Sequence, residues 1–171
     1  MDFGALSGND TIWSDQINAN AFNEAIVAAN FTDDRTVYVP YNTTFITYPI
    51  YVANITNITF QIDGTIKFSK RHNQWPLRKE GTTRDCIFLQ DVENITFQGN
   101  GTVDGQGYMW WVRELFGANH NKRPILLNIQ RGRNIEIKEV RWINSPRFNI
   151  WLEDVDSVWV HDFEIWVDIE G

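Results

Sequence analysis

IYVANITNITF (50–60), IFLQDVENITF (87–97), LNIQRGRNIEI (127–137) and IWLEDVDSVWV (150–160) are four copies of one eleven-residue pattern. When they are superposed, the first, third, ninth and eleventh columns are apolar in every copy, and the eighth reads Asn57, Asn94, Asn134 and Ser157. Self-similarity of this kind marks stacked structural units. Within each copy, β-branched and aromatic residues alternate at period two and are interrupted at fixed places, which predicts a short strand, a bend and a second strand. Helical spacing is absent from the repeats. Successive eighth-column residues lie 37, 40 and 23 apart. The 23-residue step predicts one uninterrupted coil of a parallel β-helix, and the two longer steps predict inserted loops at about 69–84 and 108–123.

Asn at the repeated bend has a mechanical reason. It tolerates left-handed backbone, and stacked amides can hydrogen-bond from coil to coil. The apolar columns would then pile Ile, Val, Leu and Phe on their like and form one continuous core.

Outside the repeats, Ala21, Phe22, Ala25, Ile26 and Ala29 recur at helical spacing, predicting a single helix over about 18–29 with Ser14, Asp15 and Asn18 available as caps. A helix there would cover the first apolar rung of the stack, whose open end is otherwise an aggregation hazard. Thr36–Val39 and residues 44–50 read as strands punctuated by Pro40 and Pro49. The expectation is an all-β single domain over 1–171. Residues 1–49 would form an N-terminal cap, and residues 50–171 the stacked coils.

The composition fits a folded chain. With 171 residues, 43% hydrophobic and 14% aromatic content, a disordered polyelectrolyte is excluded. No run approaches the roughly 20 apolar residues of a membrane helix. The lone Cys86 cannot form an internal disulfide, and between Asp85 and Ile87-Phe88 it reads as a buried small apolar side chain before it reads as a reactive thiol. No His/Cys/Asp cluster has metal-ligand spacing, so no metal or other cofactor is expected. Sequons at Asn9, Asn30, Asn42, Asn54, Asn57, Asn94 and Asn100 hint at secretion, although Asn57 and Asn94 are also explained by stacking. Met1 runs directly into DFGAL with no signal peptide.

Net charge is −7, but the signs are segregated. Fourteen of the fifteen Lys and Arg lie between Lys67 and Arg147 against eight Asp and Glu, while the flanks carry one basic and fourteen acidic residues. A basic zone inside an acidic chain suits a polyanionic partner of limited size, and equally an ordinary solvated surface. No nucleic-acid motif accompanies it.

The run ITFQGNGTVDGQGYMWW (95–111), with RPILLNIQ (123–130) and WINSPRFNIW (142–151) after it and DFGAL (2–6) before the helix, resembles the N-terminal half of polygalacturonase-like enzymes, the family 28 glycoside hydrolases. The resemblance implies a right-handed β-helix and inverting cleavage of α-linked galacturonan in pectin. Such chemistry needs a carboxylic acid on the leaving oxygen and carboxylates about 6.5–9.5 Å away to activate water. In the family these groups come from an Asn-Thr-Asp motif and an Asp-Asp pair, with Gly-His-Gly and Arg-x-Lys assisting, all downstream of Asn-Ser-Pro. None of the four is present in its place. Asp33-Asp34 directly follows the helix, and His72, His120 and His161 lack flanking glycines.

No catalytic residue is therefore assigned, and the chain is expected to be the early, inactive part of such a hydrolase. The alternative is a non-catalytic β-helix that binds or scaffolds. Asn144, Arg147 and Asn149 are the candidate substrate contacts, Arg147 because a guanidinium suits a uronate carboxylate. Lys67, Lys70, Arg71, His72, Arg78, Lys79 and Arg84 could attract the same acidic polysaccharide. Gly99, Gly101, Gly105 and Gly107 would supply close turns, and Asp104 among them reads first as a cap of its own turn. Trp110 and Trp111 read as packing beneath the insertion or as sugar-stacking rings. The C-terminal acids Glu153, Asp154, Asp156, Asp162, Glu164, Asp168 and Glu170 read as an outward polar face or, alternatively, as a displaced carboxylate pair.

Overall fold

The computed structural model describes residues 2–118 and 122–168. A helix, α1 (Ile12–Ala29), is followed by five strands: β1 (Thr36–Val39), β2 (Thr44–Thr47), β3 (Ile50–Ala53), β4 (Thr56–Ile62) and β5 (Thr65–Phe68). Then come β6 (Ile87–Gln98), β7 (Thr102–Asp104), a short helix α2 (Tyr108–Leu115), β8 (Leu127–Lys138), β9 (Arg141–Ile143), β10 (Ile150–His161) and β11 (Glu164–Trp166). All named strand pairs are parallel. One sheet runs β1-β4-β6-β8-β10 with β3 beside β6, and the other runs β2-β5-β7-β9-β11. This is a right-handed parallel β-helix with a helical cap.

The registers match the spacings read from the sequence. Ile58 pairs with Ile95, Ile95 with Ile135, and Ile135 with Val158, reproducing the 37-, 40- and 23-residue steps. The apolar columns stack as expected, with Ile58, Ile95, Ile135 and Ile137 all essentially inaccessible. Phe60 lies flat on Phe97 at 4.5 Å, and Phe97 meets Trp142 edge-on at 5.7 Å.

The bends also behave as predicted. Asn57, Asn94, Asn134 and Ser157 hold φ between 54° and 59°. Asn94 donates its amide to Asn57 at 2.8 Å, and Asn134 donates to Asn94 at 2.9 Å. A second left-handed column was not anticipated: Asn54, Asp91, Arg131 and Asp154 occupy the fifth position, also at positive φ. Two such residues three apart turn each long strand without ending its ladder. Arg131 and Asp91 clasp one another there at 2.7 and 2.8 Å.

The reading of 18–29 as the only helix is corrected on two counts. First, α1 begins six residues earlier, with Thr11 as its cap. Thr11 Oγ1 accepts from the Ser14 N–H and Ser14 Oγ accepts from the Thr11 N–H, a reciprocal box. Ser14 thus takes part in capping, as the N3 member of that box, whereas Asp15 and Asn18 are buried residues inside the helix. Asn18 donates to the Ile46 carbonyl, and Asp15 is paired with Arg71 at 2.6 Å, both tying α1 to the stack. Second, the 108–123 insertion opens with α2, which contributes only Trp110 to the buried interior. The sheets also start within the first 49 residues, since β1 and β2 already pair with β4 and β5.

The last described coil is open. Leu152 and Val158 are 36% and 37% exposed, whereas their register partners Ile129 and Ile135 are 0% and 1% exposed. No helix is long and apolar enough to cross a membrane among the described residues.

The amide ladder can be separated from the left-handed backbone it accompanies. Asn94→Gly keeps the backbone accessible and loses only the two amide bonds. Asn94→Ala loses the same bonds and keeps a Cβ in left-handed geometry without the Asn amide that favours it, so relative to glycine it carries an extra cost of about 1 kcal/mol. The expected result is a lower urea midpoint for both variants, with the alanine variant the less stable. Equal losses would assign the whole effect to the ladder.

Candidate functional site

The segment 105–107 and the segment 144–149 lie against one another at the corner where β7 and β9 end. Gly105 donates to the Ile143 carbonyl at 2.9 Å and Gly107 to the Asn144 carbonyl at 2.8 Å. A Cβ on Gly107 would sit 2.6 Å from that same carbonyl oxygen, so only glycine permits the contact. Gly99 combines φ of +115° with a backbone approach to Ile62. The expectation of glycine at close turns is met at both positions.

Asp104 is buried and caps its own turn. One oxygen accepts from the Gln106 N–H at 2.9 Å, the other from the Gln106 side-chain amide at 3.0 Å, and Asn144 donates at 3.3 Å. Asn144, left-handed at φ 50°, also accepts from the Asp168 N–H at 2.8 Å. This first candidate contact is thus a coil-to-coil strut whose amide is already engaged on both sides.

The other two candidates differ. Arg147 is exposed, its guanidinium 4.9 Å over the Phe148 ring, and it joins no ion pair among the described residues. Phe148 in turn lies 5.2 Å from Trp151. Asn149 is half-buried, with a buried Oδ1 that lacks a hydrogen-bond partner. The segment therefore presents one available guanidinium beside two partly exposed rings, a surface suited to a sugar acid. The pair Phe148 and Trp151 was missed in the sequence. Its signal was the aromatic members of the second repeat column, Tyr51, Phe88 and Trp151, which are register neighbours of the buried Asn128 on the same sheet.

Half of the Lys and Arg in the basic loop are engaged by the chain's own acids. Lys70 and Arg71 pair with Asp10 at 3.3 and 2.7 Å, Arg71 also with Asp15, and Arg78 with Asp85 at 2.6 Å. Burial alone would raise the Asp10 carboxyl, but the Arg71 and Lys70 bonds and charges hold it below its ordinary value. His72 packs edge-on to Trp110 at 4.8 Å; burial, then the nearby Arg113 charge, pushes its imidazole down. Lys79 and Arg84 stay exposed and outside any ion pair among the described residues.

Trp110 packs against Trp75 at 5.6 Å, and Trp111 donates its indole N–H to the Ser145 carbonyl at 2.9 Å; both serve packing. Cys86 is fully buried, and desolvation followed by the Asp85 and Asp104 charges pushes its thiol up, as expected of an inert side chain. Asp33-Asp34 lies exposed after α1, at the opposite end of the stack from the 144–149 segment. His120 and Glu170 fall outside the described residues.

The described C-terminal acids face outward. Glu164 pairs with Arg141 at 2.7 Å, Glu153 accepts from Gln130 at 2.8 Å, and Asp162 bonds His161 at 2.8 Å. Among the described residues, no group of three or more His, Cys, Asp and Glu could hold a metal.

Residues 33–169 match the sequence profile of glycosyl hydrolases family 28. The chain belongs to that family. It is 26% identical over 166 residues to a protein of Vitis vinifera named "Probable polygalacturonase", a match covering 88% of this chain and 33% of the relative. Among solved structures it is similar to the endo-xylogalacturonan hydrolase of Aspergillus tubingensis, with a TM-score of 0.78 at 20% identity, covering 98% of this chain and 42% of the other. It is also similar to a hyperthermoactive exopolygalacturonase of Thermotoga maritima, with a TM-score of 0.71 at 24% identity, covering 86% and 43%. The chain thus spans about a third of the length of the curated relative. The likeness to these solved structures covers the parallel β-helix stack.

One titration follows from the last coil. His161 bonds Asp162 through Nδ1 and Glu136 through Nε2, and these carboxylates hold the imidazolium above its ordinary range despite some desolvation. Because the folded value is raised, the stabilisation is complete below the unfolded pKa of about 6.5 and is lost as pH rises through the folded value. The stability gap between the native chain and His161→Gln, measured in urea, should therefore shrink from pH 6 to pH 8. A gap independent of pH would contradict the assignment.

Proposed function

We propose that this chain is a single N-terminal β-helix unit of a polygalacturonase-like hydrolase that acts on pectin by inverting cleavage of α-linked galacturonan. The observation that carries the proposal is the family match over 33–169, joined to a sequence in which the Asn-Thr-Asp and Asp-Asp motifs are not found in place. The unit supplies the scaffold and one flank of the substrate path, and it is inactive alone.

Catalysis would require two carboxyl groups facing a common sugar. The geometry of the acids supports inactivity. Asp104 is spent on its turn and on Asn144, while Glu153, Asp162 and Glu164 are engaged by Gln130, His161 and Arg141. For binding, Arg147 would hold a uronate carboxylate while Phe148 and Trp151 take the sugar's apolar face. Asn149 would supply an amide, and Asn144 would hold the segment in position.

A non-catalytic carbohydrate-binding β-helix is the second reading. It is favoured by the same outward rings and guanidinium, which need no catalytic partner. Either protein would work outside the cell, where pectin is found, and Asn9, Asn42 and Asn100 are exposed sequon positions open to glycosylation.

The test is incubation of the 171-residue chain with polygalacturonate. The expected outcome is no release of reducing sugar; measurable turnover would overturn the assignment of the acids. In the reading frame beyond Gly171, Asn-Thr-Asp and Asp-Asp coils are expected for the hydrolase, and their absence would leave the binding module. In either case Arg147→Gln should weaken oligogalacturonate binding by about tenfold, the loss expected for one charge-assisted contact.

A further inference from the structure

A pocket of about 190 Å³ opens on the outward face of β3 and β6, lined by Pro49, Tyr51, Arg78, Arg84, Asp85 and Phe88. Tyr51 and Phe88 are register partners, so their rings are carried side by side by the sheet; they lie 5.4 Å apart and nearly parallel at 21°. Tyr51 is 43% exposed. The two arginines come from the 69–86 insertion, which folds back over this part of the sheet.

The charges in the pocket do not cancel. Asp85 is buried and fully subscribed. It accepts from Arg78 at 2.6 Å, from the Ile125 N–H at 2.9 Å and from the Asn128 amide at 2.9 Å. Arg78 is further held 5.4 Å over the Phe88 ring. Arg84, by contrast, is exposed, makes one long bond of 3.4 Å from Nε to the Leu77 carbonyl, and joins no ion pair among the described residues. One uncompensated guanidinium therefore lines the pocket together with the Tyr51 ring, while Phe88 is stacked against Tyr51 and lies under Arg78.

That combination is selective. Aromatic faces accept the C–H face of a pyranose, and a guanidinium grips a carboxylate with two parallel N–H groups. A neutral sugar uses only the rings and a simple anion uses only the arginine. A sugar acid uses both. We propose that this pocket is a second binding site for a uronic-acid unit of an acidic oligosaccharide, distinct from the 144–149 segment, with Arg84 taking the carboxylate and Tyr51 the ring.

The two sites lie on one sheet, on either side of the buried Asn128. Tyr51, Phe88, Asn128 and Trp151 are successive register partners, so β3 and β10 are three strand spacings apart, about 14 Å. Trp151 adjoins Phe148, over which Arg147 lies. Asn128 between them is 4% exposed, so the two are separate sites and not one continuous groove. The choice of galacturonate as ligand rests on the pectin reading above.

The experiment is isothermal titration of the 171-residue chain with pentagalacturonate and with maltopentaose as the neutral counterpart. Arg84→Gln should weaken pentagalacturonate about tenfold, and Tyr51→Ala by a similar factor. Arg84→Lys, which keeps the charge but not the fork, should recover only part of the loss. Lys79→Gln removes the same charge from the same loop outside the pocket and should change affinity less than about twofold. Maltopentaose should show no dependence on Arg84.

Equal losses in Arg84→Gln and Lys79→Gln would reduce the effect to diffuse attraction and overturn the site. Binding that survives Arg84→Gln but falls in Arg147→Gln would also overturn it while leaving the pectin reading intact. No binding of pentagalacturonate by the native chain would remove both. Arg84 is exposed and outside the core, so circular dichroism of Arg84→Gln should match the native chain.

Discussion

The constraint on which everything else depends is the pair of left-handed bends repeated in every long strand. Each coil must turn at the same two places, because a shift of one residue would send every core side chain outward. Asn at the eighth column and a mixed set at the fifth hold that register. The stacked amides and the Arg131–Asp91 clasp reinforce it from outside the core. With register secured, the like-on-like piles of Ile and Phe follow, as does a flat outward face on which successive coils place residues at fixed spacing. The aromatic members of the second column, Tyr51, Phe88 and Trp151, are a by-product of that spacing, with the buried Asn128 between Phe88 and Trp151.

The site corner is built by removal as much as by addition. Glycine at 105 and 107 lets one coil's bend touch the next coil's backbone. Asp104 and Asn144 then spend their polar atoms on each other and on neighbouring coils. Exposed guanidiniums beside aromatic rings remain at two places: Arg147 next to Phe148 and Trp151, and Arg84 in the pocket with Tyr51. Seven of the fourteen Lys and Arg in the basic stretch stand in ion pairs among the described residues, so about half of its positive charge is offset within the chain.

The stack was legible because its signal is periodic and repeated four times, and the inserted loops were legible as departures from that period. The helix start was not. In its first turns the usual pattern is inverted: Ile12 and Trp13 are 47% and 80% exposed, while Ser14, Asp15 and Asn18 face inward to bind backbone and Arg71. Apolar periodicity cannot reveal a face whose contacts are polar. The fifth-column bends escaped for a related reason, since Asn54, Asp91, Arg131 and Asp154 share a backbone shape but no side-chain chemistry. Of the candidate contacts, Arg147 was readable from its chemistry. The struts of Asn144 and the ring pair of Phe148 and Trp151 needed the neighbouring coil to be in place.

Arg71 joins parts of the molecule that the sequence keeps far apart. Standing at the start of the 69–86 insertion, it reaches the α1 residues and turn at Asp15 and Asp10, more than fifty positions earlier. The same insertion forms the wall of the pocket over Tyr51. The lid on the first rung and that wall are therefore one cooperative unit. Local opening of the lid would carry the wall with it, so the protected backbone amides of the insertion and of α1 should report a common opening free energy in hydrogen exchange.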